Sequence, residues 1–229
     1  IVVILLNQKY QVTGMDRQNP SSDLCFEIVF GDLSEEETLR NFLKDKDAVV
    51  SCLPFFLNKK IAEIAVELEV HYFDLTEDVP TLQAIQAMND NANSVLAPQC
   101  GLAPGFIGIL GSHLYKQFDE VRDVKLRVGA LPLHPMGELG YSITWSADGV
   151  INEYINDSEV IHQGERKMVS SLDDLEIIRI NGRVYEAFST SGGLGTLCET
   201  LEGKVDTLNY KTIRYPGHAK AMKFLLYDL

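Results

Sequence analysis

The sequence predicts a doubly wound parallel α/β sheet, followed by a second α/β domain built on a mixed sheet. Three observations lead to this fold class. Short β-rich runs alternate with helical stretches over residues 1–95, a Gly- and Pro-rich element occupies residues 100–105, and strands with polar–apolar alternation follow it. We therefore expect a first domain over residues 1–103 and a second domain over residues 104–229.

In the first half, strands and helices follow one another at the interval that is typical of βαβ units. The strand-like runs are nearly continuous apolar segments, which indicates burial on both faces of a parallel sheet. The helical stretch that starts at Ser34 carries acidic residues in its first turn, so we expect Ser34 to cap it. The predicted strands are YQVTGMDR, LCFEIVF, DAVVSCLP, HYFDLT and SVLAPQC, and the predicted helices are SEEETLRNFL, NKKIAEIAVELEV and VPTLQAIQAMNDNA.

In the second half, an apolar helix follows the CGLAPG element, and most of the remaining segments have the alternation of strands. Only short helices are expected between them. In the predicted strand GYSITWS, alternation would place Trp145 and Ser146 on opposite faces. The predicted strands of this half are VRDVKLRVGALP, GYSITWS, LEIIRI and RVYEAFSTS.

The composition is that of a soluble globular protein, with 45% apolar and 23% charged residues. No apolar run is long enough to cross a membrane, so we expect no membrane partner. The net charge of −13, without a Lys/Arg cluster, argues against nucleic-acid binding. The four cysteines form no CxxC pair and no zinc-type spacing, so we expect no metal site and a reduced, cytoplasmic setting.

An acidic residue at the end of the first predicted strand indicates a dinucleotide cofactor. In a Rossmann domain, such an acid holds the adenosine ribose about 20 residues after the Gly-rich turn that binds the pyrophosphate. Asp16 has this place, but a count of about 20 residues back from it passes Ile1. We therefore expect the glycines to precede Ile1, and IVVILLNQKY to be the remainder of the first helix. The alternative is that Asp16 is a turn residue.

The carboxyl ends of the predicted parallel strands supply the candidate cofactor contacts, because ligands bind beyond that edge of such sheets. An acid at position 16 favours NAD, since it would repel the 2′-phosphate of NADP. The neighbouring arginine could stack on the adenine or accept that phosphate, so NADP stays possible. The expected cofactor-binding residues are Asp16, Arg17, Asp32, Leu33, Ser51, Cys52, Leu53 and Pro54.

Several segments together resemble the saccharopine dehydrogenase-like family in their order and spacing. They are DAVVSCLPFFLNKKIAEIAVELEVHYFDLTED, CGLAPG, GALPLHPMGELGYSITWSADGVINEY, STSGGLGTLCETL and YKTIRYPGH. The resemblance covers most of the chain from about Asp47 onward. It implies a Rossmann domain, a second domain with substrate and dimer contacts, and hydride transfer between a nicotinamide and a carbon bonded to an amine or imine nitrogen.

Three positions depart from the pattern of family members that act on saccharopine. Those members tend to carry acids where this chain has Gln99 and Ala103. They also tend to carry a basic residue, which holds a substrate carboxylate, where this chain has Asp148. These departures favour a smaller or more cationic amine, such as lysine.

The two candidate catalytic residues lie at different places. One is at the end of the fourth predicted strand, and the other is at the hinge between the two halves. Asp74 could hold a substrate ammonium or act as a base, and Glu77 could help to bind the substrate. The alternative for Glu77 is that it caps or solvates the next helix. Cys100, at the hinge, could line the pocket, or it could be an inert packed thiol.

The second half supplies the other candidate substrate contacts. Trp145 could form a wall and Ser146 could donate a hydrogen bond, although a core position for the Trp is an equal alternative. Arg214 is the best cationic anchor for a substrate carboxylate, and His218 could approach the same pocket.

A Gly-rich turn in this half, STSGGLG, would offer free N–H groups to an anion, with hydroxyls on either side. The alternative is a tight strand-to-helix turn without a ligand. The residues concerned are Ser191, Gly192, Gly193 and Thr196.

The sequence therefore predicts an NAD(P)-dependent oxidoreductase, a homodimer, that acts on the CH–NH bond of an amino acid, a lysine-like amine or saccharopine. Two alternatives stay open. One is a non-enzymatic nucleotide-sensing or scaffold protein that keeps the fold. The other is a reductase of a polyamine imine.

Overall fold

A computed structural model shows the fold of residues 8–18, 26–143 and 145–229, which are the residues that the structure describes. Within them, the first half consists of short strands and the helices that connect them. These elements are β1 (Thr13–Asp16), β2 (Glu27–Phe30), α1 (Glu36–Leu43), β3 (Ala48–Ser51), α2 (Phe55–Glu67), β4 (His71–Asp74), α3 (Val79–Gln86), a 3-10 turn (Asn89–Asn91) and β5 (Leu96–Ala97).

The described strands of the first half form two parallel sheets. β1 pairs with β2, and Asp16 lies opposite Phe30 at the carboxyl end of this pair. β4 lies between β3 and β5, and Ser51 is opposite Asp74. The carboxyl ends of the strands, where the cofactor is predicted to bind, are therefore neighbours within each sheet.

The core of the first half forms between its helices and β4. α2 contributes Ile61, Ile64 and Ala65, which are inaccessible or nearly inaccessible to solvent and pack with Leu39 of α1 and Tyr72 of β4. The spacing i, i+3, i+4 is that of an amphipathic helix face. Each fully buried large aliphatic side chain contributes about 1.5–3 kcal/mol, and this packing fixes the strand ends.

The second half contains one six-stranded sheet with helices against it. Its elements are α4 (Phe106–Tyr115), β6 (Asp123–Val128), α5 (Ala147–Ile155), β7 (Ser158–His162), β8 (Glu165–Val169), β9 (Glu176–Ile180), β10 (Arg183–Ser189), α6 (Leu197–Leu201), β11 (Thr207–Arg214), α7 (His218–Lys223) and a π-helical turn (Phe224–Asp228).

β11 organises this sheet. It runs antiparallel to β10 and β7 and parallel to β6, so the sheet is mixed. Most of β11 is buried, including Arg214 at its end, although its sequence, TLNYKTIR, alternates polar and apolar residues. The predicted fold class, a parallel α/β half followed by an α/β half on a mixed sheet, is confirmed. The domain boundary near Ala103 stays a prediction.

Two local predictions were wrong. Ser34 does not cap α1, because its hydroxyl and its N–H both donate to Asp32 Oδ1 (2.6 and 2.9 Å), and the N-cap residue is Glu35. The described residues of GYSITWS do not form a strand either. Ser146 is the N-cap of α5, and its hydroxyl oxygen accepts from the Gly149 N–H (3.0 Å). Trp145 and Ser146 are therefore not the two faces of a strand.

The predicted remainder of a first helix, IVVILLNQKY, lies mostly outside the described residues. Among the helices that the structure describes, none is both long and apolar enough to cross a membrane.

Candidate functional site

A cleft of about 290 Å³ lies where the loop after β4 and the CGLAPG element meet the second-half sheet. Both halves of the chain line it with a mixture of apolar walls and a few charged groups, which is the composition of a ligand site. The lining residues are Leu75, Glu77, Gly101, Leu102, Ala103, Val128, Ala130, Tyr141, Trp145, Glu153, Tyr210, Thr212 and Arg214.

Arg214 is the cation of this cleft. It is 5% exposed, and its guanidinium lies 4.3 Å from the centre of the Tyr141 ring. Its Nε donates to the Tyr154 hydroxyl (3.0 Å), and Nη1 donates to the Ile213 carbonyl (2.9 Å). No described carboxylate forms an ion pair with it. A buried cation without an anion is costly, so a ligand carboxylate would complete the site.

Tyr154 and His218 hold Arg214 in place. The Tyr154 hydroxyl is 3.1 Å from His218 Nε2, and His218 Nδ1 is 2.9 Å from the Leu139 carbonyl oxygen. A carbonyl only accepts, so Nδ1 carries the hydrogen and Nε2 accepts from Tyr154. Burial lowers the pKa of His218, which agrees with this neutral tautomer. The predicted approach of His218 to the pocket is thus indirect, through Tyr154.

Two carboxyl groups, Glu77 and Glu153, line the same cleft and are 7% and 8% exposed. Burial and the neighbouring Glu77 raise the pKa of Glu153 to about 8, although Arg214 acts in the opposite direction. Burial also raises the pKa of Glu77, to which Asp78 and Asp74 add. The pair thus retains at least one proton near neutral pH.

Contacts between the two halves and within the second half position this pair. The Asn152 side chain on α5 donates to Asp78 Oδ1 (3.0 Å), next to Glu77, and the Ser191 N–H donates to the Glu153 carbonyl (3.0 Å). Gly149 leaves room for the Trp145 ring and for Glu77 Oε1, since a Cβ at this position would meet both. Helix α5 therefore brings Glu153 and Trp145 to the loop that carries Glu77.

We expect Gly192→Ala to destabilise the protein more than Gly182→Ala. Both glycines have φ +77°, so the backbone strain is common to the two variants. A Cβ at Gly192 would collide with the Glu77 carbonyl oxygen, whereas a Cβ at Gly182 meets nothing within 4 Å. Denaturant unfolding of both variants measures the difference, which we expect to exceed about 1 kcal/mol. Equal losses would contradict this packing.

The structure brings three of the predicted substrate residues together in the cleft: Glu77, Trp145 and Arg214. The Gly-rich turn lies behind them. Ser191 is buried, Gly192 packs against Glu77, and Gly193 packs against the Tyr210 ring. Neither Thr196, which is exposed, nor Ser146, the cap of α5, lines the cleft. Substrate contacts by this turn stay a prediction.

Asp74 and Cys100 do not line the cleft. The Asp74 carboxylate is fully buried and accepts from the Tyr72 hydroxyl (2.7 Å) and from the N–H groups of Thr76 (2.9 Å) and Gln99 (3.0 Å). The Cys100 thiol donates to the Ala97 carbonyl (3.2 Å), and burial raises its pKa, which disfavours the thiolate. Their predicted catalytic roles are untested, and this geometry supports structural roles.

The predicted adenosine contacts lie at the carboxyl ends of β1 and β2. Asp16 and Arg17 are exposed, and Asp16 Oδ1 accepts from the Gln18 N–H (2.9 Å). Asp32 has a lowered pKa, mainly through its hydrogen bonds from Ser34 and, to a smaller extent, through the charge of Arg17. Leu33 packs against the core of the first half. The exposed Arg17 guanidinium could receive a phosphate, and the exposed Asp16 carboxylate could accept from a ribose hydroxyl.

The predicted nicotinamide contacts follow β3. The Ser51 hydroxyl donates to Asn58 Oδ1 (2.7 Å) and accepts from the Leu53 N–H (3.4 Å), which fixes the turn. Cys52 is exposed, and Pro54 is the N-cap residue of α2. The exposed Cys52 side chain and the backbone of this turn are the groups that could face a ligand there. In the part of the chain that the structure describes, no three His, Cys, Asp or Glu residues form a metal-binding group.

Sequence reasoning missed Glu153. The helix ADGVINEYI places it between Val150 and Tyr154 on the buried face, at the spacing i, i+3, i+4. A Glu on the apolar face of an amphipathic helix is rarely buried unless it is paired. The position of Glu153 in the sequence could therefore have indicated a functional residue. It was overlooked because this segment was not predicted as a helix.

Fold and cleft define an α/β protein of the dinucleotide-binding class, with a ligand cleft near the carboxyl ends of its parallel strands. Two family models match the chain. Residues 9–98 match the Saccharopine dehydrogenase NADP binding domain, and residues 101–227 match the Saccharopine dehydrogenase C-terminal domain. The chain belongs to the saccharopine dehydrogenase family, as the resemblance predicted.

Individual relatives are distant. The mitochondrial alpha-aminoadipic semialdehyde synthase of Rattus norvegicus is 21% identical over 210 residues, which are 82% of this chain and 22% of that protein. Saccharopine dehydrogenase [NADP(+), L-glutamate-forming] of Saccharomyces cerevisiae is 27% identical over 153 residues, which are 62% of this chain and 33% of that protein. The chain thus spans a third or less of these relatives.

A solved structure shares the fold. Apo saccharopine dehydrogenase (L-Glu forming) from Saccharomyces cerevisiae superposes with a TM-score of 0.68 at 19% identity, over 88% of this chain and 47% of that chain. The family model describes an NADP-binding domain, and this favours NADP over NAD. A nicotinamide cofactor agrees with the sequence prediction, whereas the predicted preference for NAD is not supported.

Proposed function

We propose that this protein is an NADP-dependent oxidoreductase that acts on the CH–NH bond of an amino acid. One observation carries the proposal: an unpaired buried cation, Arg214, and two buried carboxyl groups, Glu77 and Glu153, line the same small cleft. An amino acid with a carboxylate at one end and an amine at the other matches this charge pattern. The family and the names of its relatives support the reaction class.

The residues at the carboxyl ends of β1 and β2 fit NADP. Arg17 is exposed and its charge reaches Asp32, so the guanidinium can receive a 2′-phosphate beside the ribose. Asp16 already accepts one local hydrogen bond, and its second oxygen can accept another from a ribose hydroxyl. The turn from Ser51 to Pro54 offers backbone groups to the nicotinamide end.

A bound nicotinamide would accept or supply the hydride. The chain's own residues orient the substrate: Arg214 would anchor the carboxylate, Trp145 and Tyr141 form walls, and residues 101–103 of the CGLAPG element also line the cleft. Such fixed orientation lowers the entropic part of the barrier. The volume of about 290 Å³ suits a small ligand.

We expect Arg17→Ala to weaken NADPH binding by at least about tenfold while NADH binding changes little. The reason is that a charge-assisted hydrogen bond to a phosphate contributes about 1.5–3 kcal/mol, and NADH lacks this phosphate. Fluorescence titration of both reduced cofactors with the intact protein measures the effect. Arg179→Ala, which removes an exposed arginine of β9, is the control. Equal losses for the two cofactors would contradict the phosphate role.

A reductase of a polyamine imine is a second candidate, and the carboxyl pair favours it. Once ionised, Glu77 and Glu153 would place two negative charges opposite the one cation of the cleft, and Asp148 stands where a carboxylate-binding residue was expected. An amine-rich substrate with one carboxylate would satisfy this charge balance. Amino acids and carboxylated polyamines differ in length, so a substrate series separates the two candidates.

Two measurements on the intact protein test the proposal. NADPH fluorescence first distinguishes a cofactor binder from a protein that only keeps the fold. A series of amine and amino-acid substrates with NADP⁺, followed by the absorbance of NADPH, then identifies the enzyme. NADPH binding without turnover of any amine, in either direction, would favour a nucleotide sensor and refute the proposal.

A further inference from the structure

Glu77 has an oxygen that no described protein group satisfies. Its Oε1 is buried without a described hydrogen-bond partner, its side chain is 7% exposed, and it lines the cleft. Glu153 is 8% exposed, and no described side chain donates to its carboxyl group. Buried acceptors are nearly always paired, so an unpaired one at a ligand site requires a donor from the ligand.

The charged groups around Glu77 and Glu153 indicate which kind of hydrogen-bond donor on a ligand fits this place. From β11, Arg214 and Tyr210 face Glu153, and Tyr154 follows it on α5. From the loop after β4, Asp74 and Asp78 add negative charge near Glu77. Within this group of described residues, Arg214 is the single cation, and its Nε and Nη1 donate elsewhere. The two neighbouring buried carboxyls therefore retain at least one proton between them until a cation replaces it.

We propose that Glu77 and Glu153 form the receptor for the reacting nitrogen of the substrate, which binds as an ammonium group, and that Glu153 takes the proton of this nitrogen. The inference rests on the proposed function and adds to it the group that handles the proton. Arg214 would fix the carboxylate of the same ligand, so the two charges of an amino acid bind at separate places in one cleft.

The proton balance follows from the chemistry of a CH–NH bond. Ammonium binding favours the ionised pair, so the proton that the pair retains leaves to solvent. The ammonium nitrogen then gives one proton to the Glu153 carboxylate and becomes a free amine with a lone pair. The C–H bond would then break with its two electrons, a bound oxidised nicotinamide would supply the hydride acceptor, and the lone pair would form the C=N bond of a protonated imine. Glu153 afterwards returns its proton to solvent.

Glu77 has a different role, because its protonation state does not need to change during the step. Its free Oε1 accepts a hydrogen bond from the ammonium and so positions the nitrogen beside Glu153. Gly149 is part of this arrangement, since a side chain there would displace both the Trp145 ring and Glu77 Oε1.

Calorimetric titration of the intact protein with L-lysine, without cofactor, tests the receptor. Two buffers with different ionisation enthalpies at neutral pH report how many protons leave on binding. Hexanoate, which keeps the carboxylate but lacks both amino groups, is the control ligand. Glu153→Gln and Glu77→Gln preserve the side-chain shape, and Asp157→Asn, an exposed acid beyond α5 that does not line the cleft, controls for net charge.

We expect L-lysine to bind the parent with release of a proton. Glu153→Gln and Glu77→Gln should each weaken this binding at least tenfold, which is about 1.4 kcal/mol, and Glu153→Gln should abolish the proton release. Asp157→Asn should behave like the parent, and hexanoate should not distinguish the variants. Equal affinity of the parent for L-lysine and hexanoate, or unchanged lysine binding and proton release in Glu153→Gln, would overturn the receptor.

The receptor and the proposed function fail in different ways. Lysine binding with proton release, in a protein that turns over no amine with NADP⁺, supports the receptor and refutes the function. Turnover of an amine with the same KM, kcat and pH profile in Glu77→Gln and Glu153→Gln supports the function and refutes the receptor.

Discussion

Arg214→Ala is expected to raise the KM for the amino-acid substrate more than tenfold and to leave NADPH affinity nearly unchanged. A hydrogen-bonded, partly desolvated Arg–carboxylate contact contributes about 2 kcal/mol or more, and each 1.4 kcal/mol is about a factor of ten. The Tyr154 and Ile213 hydrogen bonds hold the guanidinium before the ligand arrives, so little ordering cost opposes binding. Steady-state kinetics with substrate and cofactor varied separately measures both quantities.

Two further variants give this experiment its controls. Arg214→Lys should recover only part of the loss, because an ammonium cannot form two parallel hydrogen bonds to a carboxylate. Arg183→Ala removes an exposed arginine that donates to the Tyr215 hydroxyl outside the cleft, and it should keep the parent's KM. An unchanged KM in Arg214→Ala, together with lower stability, would show that Arg214 has a structural role in its hydrogen-bonded network with Tyr154 and His218.

The second large effect is on stability. We expect Glu153→Gln to stabilise the protein above pH 8 and to have little effect at pH 5. Folding raises the pKa of Glu153 from 4.5 to about 8. The folded state therefore binds more protons than the unfolded state between these values, and stability falls as pH rises through that window. Each pKa unit is about 1.4 kcal/mol, so the gain at high pH is on the order of a few kcal/mol.

Denaturant unfolding of parent and variant at the two pH values measures this effect. The comparison between variant and parent removes the contribution of the other titrating groups, which is large at a net charge of −13. Asp157→Asn, which also removes one acid, should show no such pH-dependent gain. The same stability difference between parent and Glu153→Gln at pH 5 and pH 8 would show that the Glu153 carboxyl does not take up a proton on folding.

The alternation of strands and helices could be predicted from the sequence because it follows from local periodicity. The apolar stripe of α2 and the breaker CGLAPG are local signals, and the structure shows a helix over Phe55–Glu67 and another from Phe106. Arg214 could also be singled out, because the other candidate arginines of this half lie in ordinary alternating strands.

Other parts of the site depend on contacts between distant segments, which no local pattern reveals. Asp74 was an apparent active-site carboxylate, yet Tyr72, Thr76 and Gln99 satisfy it. Glu153 was missed because its helix begins at a Ser cap inside a segment with strand-like alternation. Its pairing with Glu77 requires α5 to pack on the loop after β4, through the hydrogen bond from Asn152 to Asp78.

The central claim is that the cleft holds an amino-acid amine for hydride transfer to NADP⁺. The most direct measurement uses an amine substrate found in the series, labelled with deuterium at the carbon that bears the nitrogen. The intact protein is incubated with it and NADP⁺, and the NADPH formed is analysed by mass spectrometry. We predict that the NADPH carries the deuterium and that its formation is slowed in Arg214→Ala at subsaturating substrate. NADPH without the label, or labelled NADPH formed equally fast in that variant, would contradict the account.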